Sequence, residues 1–218
     1  MPPNHDSRNS QNTQRDFAQS SETTSTTNLP LESNHTLEND QPLFEKTFAI
    51  VQYVIFSLLG RKVNRIPSRE AKKVRELTSE ILAKHDVYNS LCLNLGFTPD
   101  NLEGMFYGVA ENIFEDGLIN WGRLIALLGF SVKVSQYFRS QGVIVNPDQI
   151  VELTTCFIVH KTGPWIHSKG GWENVITHFN NSKNEAYSPK NATWFRGILV
   201  TATATIGLGA LLAVTQCK

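Results

Sequence analysis

Two short stretches of this chain carry residues whose types and spacing could do chemistry. The first is Glu115-Asp116-Gly117-Leu118-Ile119-Asn120-Trp121-Gly122-Arg123. The second is Trp165-Ile166-His167-Ser168-Lys169-Gly170-Gly171-Trp172. Neither holds an enzyme's parts: there is no nucleophile with a paired base, no phosphate-cradling glycine loop and no carboxylate pair at useful spacing. What they can do is recognise another molecule. Asn120 is a good helix cap, which puts Arg123 in the first turn of the helix that follows. The helix dipole disfavours a cation there, so an arginine at that position calls for an anionic partner. That partner is either internal, for example Glu115 or Asp116, or an acid on a visiting molecule. Gly122 has no side chain, so a second backbone can come close beside it. Trp165 and Trp172 read most simply as core residues, Gly170-Gly171 as a helix stop and restart, and His167 and Lys169 as surface decoration.

No metal or cofactor is expected. Cys92, Cys156 and Cys217 are odd in number and form no Cys-x-x-Cys pair, which argues against both a disulfide scaffold and a thiolate zinc site. His160, His167 and His178 lack ligand spacing. Twenty basic residues balance 20 acidic ones for a formal net charge of zero, so no nucleic-acid partner is expected. The N-terminus is polar from Met1 onward and carries no cleavable signal pattern, which predicts a cytosol-facing protein.

The elements that must position these motifs are helical. Of the 218 residues, the first 40 include 21 Ser, Thr, Asn or Gln. Residues 1–42 therefore read as a disordered polar tail that cannot bury enough apolar surface to offset chain ordering. From Leu43 to about Leu59 the residues Phe44, Phe48, Val51, Ile55 and Leu58 recur at steps of three and four, which predicts an amphipathic helix stopped by Gly60. Ser68 caps a second helix running to about Leu93, with Val74, Leu77, Ile81 and His85 on one face. Thr98-Pro99-Asp100-Asn101 opens a third, carrying Met105, Phe106, Val109, Ile113 and Phe114. The next, from Trp121, is apolar on every side over Leu124–Phe130 and belongs at the centre of a bundle. Asn146-Pro147-Asp148 starts another through about Val159, broken at Gly163-Pro164. Short turns follow at Trp165–Lys169 and Trp172–Phe179. No alternating strand pattern is present, so the class is all-α.

Residues 181–193 form a polar linker. Trp194, Phe195 and Arg196 then precede an uncharged run of 18 residues, Gly197 to Val214, about 27 Å long as a helix and close to the hydrocarbon thickness of a bilayer. Aromatic and basic flanks suit a membrane interface. The run is expected to be a tail anchor, or else a C-terminal helix folded into a groove of the domain.

The stretch from Asn112 to Phe130, with Asn120-Trp121-Gly122-Arg123 at its centre, resembles the first homology region of the B-cell lymphoma-2 (Bcl) apoptosis regulators. Trp165–Trp172, with Gly170-Gly171-Trp172, resembles their second. The order and spacing of the two are specific, and the resemblance covers roughly residues 43–218. It implies a domain over residues 43–180 of about eight helices around a buried central hairpin, and a transmembrane helix over 194–218. It also implies a hydrophobic groove that takes the amphipathic third-region helix of a pro-apoptotic relative. Carried over residue by residue, Arg123 pairs with the aspartate of that helix and Asn120 and Gly122 frame the contact. Ala110, Phe114, Ala126 and Phe130 receive its apolar side chains, with Ile81, His85 and Phe179 as further lining.

The family's own third region, Leu-x-x-x-Gly-Asp, falls here on Val74-Arg75-Glu76-Leu77-Thr78-Ser79. Ser79 supplies no charge and Thr78 is branched where close helix approach wants nothing. The segment is a poor ligand and fits a receptor, so the resemblance implies a pro-survival protein at the mitochondrial outer membrane, with the endoplasmic reticulum membrane and cytosol as further locations. The alternative is a pore-forming effector, because Leu124–Phe130 is also like the killer members. Homo- or hetero-oligomers with family members, and lipid contact through the tail, are implied partners.

Overall fold

The computed structural model describes residues 33–84 and 87–181. Among these residues there are seven helices and no strand: α1 (Ser33–Leu58), α2 (Arg69–Lys84), α3 (Val87–Leu95), α4 (Leu102–Ile113), α5 (Trp121–Ser140), α6 (Pro147–Ser168) and α7 (Asn174–Asn181). A helix that is apolar all round needs neighbours all round. α5 has them: it packs against α1, α2, α3, α4 and α6, and Leu124 through Phe130 are all buried. α6 lies against α1, α4 and α5, so α5 and α6 form the central hairpin that the resemblance implies. The all-α class is as expected. None of the described helices is long and apolar enough to cross a membrane.

Local chemistry sets most of the helix ends. Ser68 Oγ accepts from the Ala71 amide at 3.2 Å, and Asn146 Oδ1 from that of Asp148 at 3.1 Å, each satisfying a first-turn donor. Thr98 and Asn101 bond each other's amides, Thr98 N to Asn101 Oδ1 at 2.8 Å and Asn101 N to Thr98 Oγ1 at 3.3 Å, ahead of α4. α1 closes where Gly60 N donates to Ser57 O and Arg61 N to Phe56 O, the paired bonds of a glycine-terminated helix. Gly170 and Gly171 have φ of 82° and 80°, and the Gly171 amide reaches back to Ile166 O at 2.9 Å. The double glycine is thus the stop between α6 and α7.

Three boundaries differ from the sequence reading. α1 begins at Ser33 and contains Pro42, so the expected start at residue 43 falls inside it. Extending a packed helix adds one hydrogen bond per residue without a new nucleus, and needs no apolar stripe to announce it. Its buried stripe is also rotated from the expected one. Leu43, Thr47, Ile50, Val51, Val54 and Ile55 face inward, whereas Phe44 and Phe48 stack on each other, half-buried, with centroids 6.3 Å apart.

The helix expected from Ser68 to Leu93 is two, α2 and α3, with His85 and Asp86 outside the described residues. Buried Ile81 and Tyr88 are two turns apart in sequence, so periodicity carries no mark of the division.

α6 runs through Gly163-Pro164 rather than ending there. An interior proline costs about 3 kcal/mol. Thr162, Gly163 and Ile166 are buried around it, and a Cβ on Gly163 would lie 3.3 Å from Leu43 Cδ2. At roughly 1.5–3 kcal/mol for each large apolar side chain buried, packing on α1 offsets the defect. Residues 1–32, the linker from 182 and the tail residues Trp194, Phe195, Gly197 and Val214 lie outside the described residues.

Candidate functional site

Asn120, extended at φ −154°, caps α5 by accepting from the Arg123 amide at 3.0 Å. This sets Arg123 one turn into the helix with its side chain directed back over the α4–α5 connection. Its Nη1 donates to the carbonyls of Ile113 and Leu118, each at 3.0 Å. Both terminal nitrogens also bond the Asp116 carboxylate, Nη1 to Oδ1 and Nη2 to Oδ2, the latter at 2.5 Å. The alternative left open by the sequence is therefore decided, in the chain alone, for Asp116. Glu115 is exposed on the same turn.

The turn that presents Asp116 is built from its own residues. Gly117 has φ 74°, a left-handed conformation natural to glycine, and its amide donates to Phe114 O at 2.9 Å. Asp116 Oδ1 also accepts from the Leu118 amide at 3.0 Å. The two members of the ion pair sit in different surroundings. The Arg123 side chain is 7% exposed and that of Asp116 52%. Hydrogen bonding from Arg123, then from the Leu118 amide, holds the Asp116 carboxyl down at about 2. A cation out of water is thus matched by a carboxylate that remains in contact with it.

Asn120 and Gly122 are half-buried beside Arg123, and Phe179 is half-buried on α7. His85 lies outside the described residues. The expected apolar lining is not an open surface: Ile81, Ala110, Phe114, Ala126 and Phe130 are all buried. These five side chains are out of water in the chain as it stands. Apolar side chains able to grip a partner are equally able to bury themselves without one. Phe114 packs on Phe157 of α6 at 5.8 Å between centroids, and Phe130 on Phe106 at 5.5 Å and Phe97 at 6.1 Å. Ile81 of α2 and Tyr88 of α3 converge on α5 at Gly129, and the Tyr88 hydroxyl donates to Ala126 O at 3.0 Å. A cavity of about 380 Å³ lies elsewhere, between α1 and its connection to α2, lined by Glu45, Lys46, Tyr53, Arg65 and Ile66 among others. None of the expected site residues lines it.

The second motif supports the first. Trp121, which follows the Asn120 cap, meets Trp165 at 4.9 Å and Trp172 at 5.5 Å between ring centroids. Trp172 is fully buried, and its Nε1 donates to Thr47 Oγ1 at 2.9 Å. The core reading of Trp172 holds, and half-buried Trp165 packs against the same core. His167 and Lys169 are exposed, with the Lys169 ammonium 6.0 Å from the Trp165 ring centroid. On α2, Val74 and Leu77 are buried, and buried Thr78 bonds its own helix, Oγ1 to Val74 O at 2.8 Å.

Two partners escaped the sequence reading. Tyr88 was legible as the residue two turns past Ile81. Thr47 was legible as a polar residue one turn past Leu43, on what became the buried stripe.

The family model described as apoptosis regulator proteins, Bcl-2 family, matches residues 74–172. The anti-apoptotic protein NR13 of Coturnix japonica is 25% identical over 150 residues, covering 68% of this chain and 84% of that one. The Bcl-2 homologous antagonist/killer of Homo sapiens is 31% identical over 86 residues, 39% of this chain and 40% of that one. Among solved structures, Trichoplax adhaerens trBcl-2L2 bound to trBak BH3 superposes with a TM-score of 0.57 at 26% identity. That match covers 62% of this chain and 98% of the other.

Proposed function

We propose, for a chain that belongs to the Bcl-2 family of apoptosis regulators, that it captures the BH3 helix of pro-apoptotic relatives and restrains them. The observation that carries this reading is the head of α5. Asn120-Trp121-Gly122-Arg123 presents a guanidinium that two backbone carbonyls hold in place, next to a half-buried glycine where a second backbone can approach. An incoming amphipathic helix sets its aspartate on Arg123, with Asn120 and Gly122 framing the contact. It lays its apolar side chains against Ala110, Phe114, Ala126 and Phe130, with Ile81, His85 and Phe179 as further lining.

Capture on this reading requires that the lining open. α3, with nine residues, is shorter than a helix that is stable alone, so it depends on packing and is the natural element to yield. Each large anchor buried contributes roughly 1.5–3 kcal/mol. The ion pair fixes register more than it adds affinity.

Ser79 and Thr78 favour a receptor over a ligand, and hence a pro-survival role; the likeness to an anti-apoptotic relative supports it. The proposed place of action is the cytosolic face of the mitochondrial outer membrane, held by Trp194–Val214. A pore-forming effector is the second reading, favoured by the 31% identity to a killer relative. Liposome dye release separates the two: release by this chain, alone or with a BH3 peptide, supports the effector, and suppression of release by a known effector supports the guardian. The groove itself is tested by calorimetric titration with a panel of BH3 peptides. Arg123→Ala is expected to lower affinity at least about tenfold. Unchanged affinity across the panel defeats the assigned role.

A further inference from the structure

We infer that Asp116 is a resident competitor for the partner's aspartate, and that by occupying Arg123 it makes the site select helices that bring a carboxylate of their own. The inference rests on the groove reading above. Three observations carry it.

First, the guanidinium keeps its position without the carboxylate. Arg123 Nη1 is also bonded by Ile113 O and Leu118 O, so the cation stays directed at the same point if Asp116 departs. Second, Asp116 has somewhere to stay when it lets go. Its Oδ1 accepts from the Leu118 amide independently of Arg123, and Gly117, at φ 74°, turns the chain beside it. Third, the exposures are unequal. The arginine side chain is 7% exposed and the aspartate 52%. The carboxylate leaves by the solvent side and is rehydrated at once, while the cation it abandons is short of water. Taking one carboxylate from a buried ion pair is costly unless another replaces it. A helix with a neutral residue at the contact therefore leaves Asp116 in place, and only one that supplies a replacement acid displaces it. Asp116 thus lowers affinity for acid-bearing helices in return for discrimination against neutral ones.

The test uses the full chain and two synthetic peptides: the Bak BH3 helix, and the same helix with its aspartate changed to asparagine. Asp116→Asn keeps an oxygen for the Leu118 amide and removes the competing charge. It is expected to raise affinity for the acidic peptide about tenfold, and to change affinity for the asparagine peptide by less than about twofold. Equal or lower affinity of D116N for the acidic peptide overturns the inference, because the pair is then purely structural. A second measurement does not depend on the variant folding. Carboxyl NMR of the wild-type chain should find Asp116 titrating at about 2 when free and moving up towards its ordinary 3.8 when the acidic peptide is bound. With the asparagine peptide it should stay where it was. If the acidic peptide binds and Asp116 does not move, the inference fails and the groove reading stands. If wild type and D116N both fail to bind the acidic peptide, the groove reading fails and the inference falls with it.

Discussion

The hydroxyl of Tyr88 occupies the space that a side chain on Gly129 would need: a Cβ there would lie 2.7 Å from Tyr88 Oη and 3.1 Å from Cζ. Tyr88 is fully buried and spends that hydroxyl on Ala126 O. The absence of a methyl group on α5 is therefore what lets α3 seat its tyrosine against the central helix.

Gly129→Ala gains up to about 1 kcal/mol in helix propensity. It must also push a hydrogen-bonded ring out of a packed site, and overpacking of that kind costs about 1–3 kcal/mol. The net effect expected is destabilisation. In a Tyr88→Phe background the closest atom is gone, and the penalty should fall by about 1 kcal/mol. Urea unfolding of the four members of the cycle measures this. Additive effects would mean that the two residues do not meet.

Thr47 and Trp172 join α1 to the turn after α6 through a single buried hydrogen bond of 2.9 Å. Thr47→Val keeps the shape and leaves the indole N–H without its acceptor, at a cost of about 1–3 kcal/mol. Thr47→Ser, which keeps the oxygen, should cost less. In a Trp172→Phe background the valine substitution should matter little, and thermal unfolding of the set reads this directly.

The Asp116 carboxyl is held down at about 2 from an ordinary 3.8, chiefly by hydrogen bonding from Arg123. A carboxylate with a lowered folded-state pKa adds stability that is fully present above the unfolded value. That stability is lost as pH falls through the folded one. The difference in unfolding midpoint between wild type and Asp116→Asn should thus be level from pH 7 to about pH 5, and close between about 4 and 2. A difference unchanged down to pH 2 would show that the carboxylate is not the anion on Arg123.

Removal of residues 194–218 is expected to shift the protein from the mitochondrial membrane fraction to the soluble fraction, on the proposal that the uncharged run Gly197–Val214 anchors it. Subcellular fractionation and imaging of the truncated chain check this. Persistent co-fractionation with mitochondria would assign membrane contact to another part of the chain.

Much of the fold was legible in the sequence because its signals are local. Asn120, Asn146 and Ser68 cap the helices they precede, Gly60 and Gly170-Gly171 stop them, and Leu124–Phe130 had to be central because no side of it was polar. The misreadings have a common cause. Gly163-Pro164 looks like a terminus, yet α6 passes through it because Leu43, distant in sequence, packs against that point. The division between α2 and α3 leaves no trace in a stripe that continues in register from Ile81 to Tyr88. The apolar site residues were recognisable by type, but their state was not: Ile81, Ala110, Phe114, Ala126 and Phe130 are buried rather than displayed.

Taken alone, the order of residues determined where the capped helices α2, α5 and α6 begin, which helix is innermost, and that Arg123 needs an anion. Those follow from hydrogen bonds and apolar density within a few consecutive residues. The tertiary structure decided which of the chain's own anions meets it, and that Ile81, Ala110, Phe114, Ala126 and Phe130 are buried. Between Glu115 and Asp116 the sequence offers two equal acids. Only the path of the turn at Gly117 directs one carboxylate at a guanidinium seven residues on and removes that guanidinium from water.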